Sequence, residues 1–115
     1  EEIKRVLNQS GYLMDPHTAV ASHVQREYHT KTGDFSHTVI MATASPYKFA
    51  PDVLAALRGR DALEGLDAFA CADKLEEISG VAVPKQIRAL QTMPVRHQAV
   101  CEIGAMQEAL LREFR

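Results

Sequence analysis

The sequence is short of most features that betray a function. Charge of one sign is missing: 13 Lys and Arg stand against 15 Asp and Glu, a net charge of −2. That balance gives no long-range attraction for nucleic acid or an anionic membrane, and no basic run compensates. No apolar stretch approaches the ~18 residues that a bilayer span needs. The two cysteines, Cys71 and Cys101, have no CxxC spacing and follow no signal peptide. They read as small buried thiols in a reducing cytosol, with a disulfide between them as the alternative. The chain is therefore expected to be soluble and cytoplasmic. No Ser-His-Asp ordering, paired-carboxylate arrangement or GxGxxG loop is visible. Gly11 stands alone, so no helix start carries the glycines that let a backbone cradle phosphate.

What is present is ordinary in amount. The 115 residues suit one small domain, and 46% apolar with 24% charged residues is a globular composition. The opening Glu1-Glu2-Ile3 runs at once into a helical pattern, which reads as a piece of something longer.

Ile3, Val6 and Leu7 share one helical face that Ser10-Gly11 stops. Asp15 followed by Pro16 is an N-cap with proline in the first helical position. Val20, Val24 and Tyr28 then repeat every four residues and predict an apolar stripe on a helix over 16–28. Residues 37–44 read His-Thr-Val-Ile-Met-Ala-Thr-Ala, an uncharged run whose β-branched Thr38, Val39 and Ile40 predict a strand buried on both faces. Pro51 opens a helix with Val53, Leu54 and Leu57. A further helix over 67–79 places Phe69, Leu75 and Ile78 inward and ends at Gly80. Pro84 opens a short helix with Ile87 and Leu90. Alternation from Val95 to Cys101 predicts a second strand over 95–101. Met106, Ala109, Leu110 and Phe114 line one side of a final helix. The fold class expected is α/β: a mostly helical piece with two short strands, belonging to a larger parallel sheet.

Five histidines raise the question of a metal. His17, His23 and His29 are six residues apart, so successive rings fall on different helical faces, and no metal site is expected. The predicted strand ends in Thr43-Ala44-Ser45. Ligands in open α/β sheets bind beyond the carboxyl ends of strands, which makes Thr43 and Ser45 candidates beside ordinary turn-capping.

Two segments narrow the reading. Gly11-Tyr12-Leu13-Met14-Asp15-Pro16-His17-Thr18-Ala19-Val20 and Thr38-Val39-Ile40-Met41-Ala42-Thr43-Ala44-Ser45-Pro46-Tyr47-Lys48-Phe49 closely resemble the C-terminal motifs of bacterial threonine synthases, in matching order and separation. Lys74-Leu75-Glu76-Glu77-Ile78-Ser79-Gly80-Val81 and Pro94-Val95-Arg96-His97 resemble the family's less distinctive tail. The resemblance implies that residues 1–115 are one segment, the C-terminal part of the large domain of a pyridoxal-phosphate (PLP) enzyme of the tryptophan synthase β fold type. Such enzymes convert O-phospho-L-homoserine and water into L-threonine and phosphate, with PLP held by a lysine as a Schiff base.

It also implies that Thr43 faces the pyridine nitrogen of PLP and that Ser45 lines the same pocket. Lys48 is a possible anion contact, and Asp15 and His17 are explained by capping and packing. The Schiff-base lysine and the loops for the cofactor and substrate phosphates have no counterpart here, so this chain alone is expected to be inactive and not to bind PLP stably. Two other readings stand beside this one. A threonine dehydratase of the same fold would share the motifs. A non-catalytic module that self-associates, for example as a homo-oligomer through exposed sheet edges, would explain a short stable piece.

Overall fold

Local chemistry sets most of the helix ends. The computed structural model describes residues 1–114. Helix α1 runs Glu2–Ser10 and stops at Gly11, whose φ of 71° lies in the left-handed region that favours a residue without Cβ. Helix α2, Pro16–Thr32, is opened by Asp15. Its carboxylate accepts from the backbone N–H groups of His17 at 2.9 Å and Thr18 at 3.2 Å. A 3-10 turn over Pro46–Phe49 leads into α3, Ala50–Arg58, and a second over Arg60–Leu63 follows it. Helix α4, Ala68–Ser79, is capped by Asp67, which accepts from the Ala70 N–H at 2.7 Å. Helix α5, Lys85–Leu90, follows Pro84. A third 3-10 turn, Ile103–Ala105, precedes α6, Met106–Glu113.

The core forms where α3 packs on α4 and α1, with α1 in turn on α2. Val53, Leu54 and Leu57 of α3 meet Cys71, Ala72 and Leu75 of α4, joined by Ile3, Leu13, Met14, Tyr47 and Val83. Each fully buried leucine here contributes roughly 1.5–3 kcal/mol of transfer free energy. Polar ties lock the periphery. Glu2 of α1 accepts from the Arg5 Nε at 3.1 Å and from the Ser22 hydroxyl of α2 at 2.9 Å, with the Arg26 Nε 3.4 Å away. Arg88 of α5 reaches back to α4, to Asp73 at 2.9 Å and to Glu76.

The α/β expectation is corrected: among the described residues the regular structure is all helical, with no strand and no sheet. Residues 37–44 and 95–101 carry neither helix nor strand. A strand is defined by its backbone partners, and β-branched side chains supply only a preference for that pleated surface. Among the described residues no segment pairs with Thr38–Ala42, and Val39 is left 85% exposed. Residues 95–101 are exposed throughout, so their alternation marks no buried face. Among the described residues there is therefore no sheet edge.

Burial departs from periodicity in other places. The Val20–Val24–Tyr28 stripe is exposed, because α2 turns Thr18 and Ala19 inward instead. Phe69 is only half-buried, Leu90 is exposed, and the apolar side of α6 is open to solvent. Cys71 is buried and free, whereas Cys101 is free and exposed. Burial pushes the Cys71 thiol above its ordinary pKa. No helix among the described residues is long and apolar enough to cross a membrane.

Candidate functional site

The two motif segments meet in space. The ring of His17, in the first turn of α2, lies 5.0 Å from the ring of Phe49 with a tilt of 59°. Leu13 and Met14 from the first segment share the buried cluster with Tyr47 from the second. Tyr47 also donates its hydroxyl to the Val81 carbonyl, and burial pushes its phenol above the ordinary pKa. Residues 38–49 are thus held at one end by core packing, while their earlier part crosses the open face of α2.

Between α2 and residues 38–41 lies a cavity of about 650 Å³. His17, Val24, Tyr28, Val39 and Met41 are among the residues that wall it, and no Asp, Glu, Lys or Arg does so. Its volume suits a small ligand, and its lining is apolar with a few polar groups. Thr43 lies two residues beyond this lining and is exposed. Ser45 is half-buried, and its hydroxyl accepts from the Tyr47 N–H at 3.3 Å, capping the 3-10 turn. Lys48 is exposed and borders a different, smaller cavity of about 300 Å³ with Phe69 and Ile87. The structure therefore brings His17 to the same cavity as residues 38–41, sets Thr43 just past it, and leaves Lys48 elsewhere.

Asp15 is 1% exposed beneath His17. Burial pushes its carboxyl pKa up, but the Thr18 hydroxyl and the backbone N–H groups of Thr18 and His17 more than offset this, so the net shift is downward. The His17 Nδ1 lies 3.4 Å from an Asp15 oxygen. Among the described residues no three His, Cys, Asp or Glu side chains converge as a metal site would require. Sequence reasoning missed the His17–Phe49 and Tyr47–Val81 contacts. Neither carries a periodic signal, since the first joins residues 32 positions apart and the second joins residues 34 apart.

Fold and cavity define an all-helical segment with an open apolar face beside its candidate site. Residues 18–110 match the family model described as threonine synthase, C-terminal, and the chain belongs to that family. It is similar to Threonine synthase-like 1 of Homo sapiens, at 40% identity over 110 residues, which is 94% of this chain and 12% of that protein. Threonine synthase-like 1 of Macaca fascicularis is 39% identical over the same shares. The chain thus spans about one eighth of the length of these curated relatives. No solved structure matches it.

Proposed function

We propose that this chain is the C-terminal part of the large PLP domain of a cytoplasmic threonine synthase, which converts O-phospho-L-homoserine and water into L-threonine and phosphate. The observation that carries the reading is the family match over residues 18–110, which takes in Thr43 and Ser45.

PLP makes three demands on a protein: an amine to hold it, a cradle for its phosphate and a partner for its ring nitrogen. The exposed Thr43 suits the third, because a neutral hydroxyl can either donate to that nitrogen or accept from it. The first two go to residues outside this chain. No lysine walls the cavity beside α2, and no helix here begins on a glycine-rich loop. On this reading, residues 1–115 alone carry out no turnover. When bound, PLP supplies an electron sink for substrate bonds broken next to it. The work of this segment is orientation: Thr43 meets the ring nitrogen and Ser45 lines the same pocket, its hydroxyl also capping the Tyr47 N–H.

The test is an assay of the intact protein for phosphate release from O-phospho-L-homoserine against ammonia release from threonine. Phosphate release is expected. Ammonia release without phosphate release would move the protein to the threonine dehydratase reading.

A further inference from the structure

The 650 Å³ cavity beside α2 has four polar side chains in its wall, His17, Gln25, Tyr28 and Thr38, and three of them are already engaged. The Tyr28 hydroxyl donates to Asp34 at 3.0 Å, and the Thr38 hydroxyl donates to the Ser36 carbonyl at 3.3 Å. The Gln25 amide pairs with the His29 ring at 2.7 Å. His17 is the exception. Its Nδ1 is turned to the carboxylate of Asp15, 3.4 Å away, and its ring leans on Phe49. Asp15 is buried and kept an anion by the donors around it. The neutral imidazole therefore carries its hydrogen on Nδ1 and presents Nε2 as a bare acceptor.

Two rises place Thr43 at the same end of the cavity. From Tyr28 back to His17, α2 climbs about 16 Å at roughly 1.5 Å per residue. An extended run from Thr38 to Thr43 covers about the same distance at roughly 3.3 Å per residue. The chain turns back after Thr32, and the contact of His17 with Phe49 closes the far end. Thr43 thus arrives beside His17, away from the three engaged side chains.

We propose, on the reading that this chain is part of a threonine synthase, that His17 holds the water molecule consumed in the reaction. An acceptor nitrogen repels an anionic phosphate or carboxylate, so its ligand is a hydrogen-bond donor. Water in an apolar cavity needs polar partners, and Nε2 is the side-chain acceptor that this wall leaves free. By accepting one water hydrogen, Nε2 turns the oxygen lone pairs away from the ring and toward a substrate beside Thr43. The imidazole needs no charge for this, which suits a lining without Asp, Glu, Lys or Arg. The exchange balances without it. Water gives its hydroxyl to the β carbon of the substrate and its proton to the departing phosphate. One hydrogen moves from the β carbon to the γ carbon, whose bond to the phosphate oxygen breaks. His17 ends as it began, and its effect is to favour addition of water over loss of the substrate as a 2-oxo acid and ammonia.

The experiment compares His17→Phe and His17→Gln in the intact protein supplied with PLP, counting threonine formed per phosphate released from O-phospho-L-homoserine. Phenylalanine keeps a ring against Phe49 and removes both nitrogens, whereas the glutamine amide restores an acceptor. Loss of one hydrogen bond to water should lower threonine per phosphate roughly two- to tenfold in His17→Phe. The shortfall should appear as a 2-oxo acid and ammonia, and His17→Gln should restore most of the ratio. An unchanged ratio in His17→Phe overturns the inference and leaves the synthase reading standing. A ratio as low in His17→Gln as in His17→Phe assigns the effect to packing and overturns it equally. No phosphate from the unsubstituted protein sinks the synthase reading, and the inference with it. Acylation by diethyl pyrocarbonate, read by mass on the peptide carrying His17, needs no variant. The reagent attacks a bare imidazole nitrogen, so His17 should be acylated in the PLP-free protein and lose that reactivity when PLP and O-phospho-L-homoserine are both bound. Equal acylation in the two states overturns the inference even where His17→Phe fails to fold.

Discussion

Tyr47 donates its phenolic hydrogen to the backbone carbonyl of Val81, joining the turn after Ser45 to the loop between α4 and α5. The ring is 4% exposed and packs with Leu13, Met14 and Ala50 in the core cluster. Its packing and this hydrogen bond, made 34 residues away, hold the turn that follows Ser45 against the core.

Tyr47→Phe keeps the ring and removes the hydroxyl. The loss is expected to cost about 1 kcal/mol, the net worth of one ordinary hydrogen bond. Urea unfolding followed by circular dichroism should show a lower midpoint with an unchanged slope. An unchanged midpoint would mean that ring packing alone holds the turn.

Leu75 is fully buried at the α3–α4 contact, whereas Val100 is 95% exposed. Leu75→Ala should therefore cost about 2–5 kcal/mol through lost transfer energy and the cavity left behind. Val100→Ala should stay within about 0.5 kcal/mol. Similar unfolding midpoints for the two variants would contradict the core described above.

Glu2 gives the fold an acid dependence of definite sign. The hydrogen bond from Arg5 is the main cause that lowers its pKa from 4.5 to about 2, against the opposing effect of burial and with help from Ser22. The unfolded chain binds this proton near pH 4.5 and the folded chain only near pH 2. The contribution of Glu2 is therefore fully present above the higher value and is lost as pH falls toward the lower one. Asp15 and Asp34 are shifted in the same direction. Glu2→Gln should flatten part of the acid loss, not all of it, in unfolding midpoints measured from pH 6 to pH 2.5. An unchanged pH profile would show that the Glu2–Arg5 pair is not populated in solution.

Signals confined to a few neighbouring residues were legible from sequence. Asp15-Pro16 and Gly11 mark ends that the structure shows as a carboxylate cap and a left-handed glycine, and Val53, Leu54 and Leu57 point inward as their spacing predicts. The β preference of residues 37–44 needs a partner strand to act on, and none pairs with them among the described residues. The Val20–Val24–Tyr28 stripe is the same case on a helix: its periodicity is real, but nothing among the described residues covers it. At the site, the motif resemblance singled out Thr43 and Ser45. The cap from Ser45 is local and could be foreseen, whereas the approach of His17 to Phe49 follows from tertiary packing that no spacing encodes.

Thr43→Val in the intact protein separates a cofactor contact from a structural hydroxyl. Valine matches threonine in shape, and at an exposed position the exchange should move stability by no more than about 0.5 kcal/mol. If the Thr43 hydroxyl meets the PLP ring nitrogen, its loss removes one hydrogen bond to the cofactor, about 0.5–1.5 kcal/mol or roughly a two- to tenfold weaker PLP affinity. The fall in turnover should then persist at saturating PLP, because the ring electronics change as well as its binding. Ser45→Ala is the contrasting variant: it removes the cap on the Tyr47 N–H and should lower the unfolding midpoint. PLP affinity and kcat of Thr43→Val equal to those of the unsubstituted protein would remove Thr43 from the site.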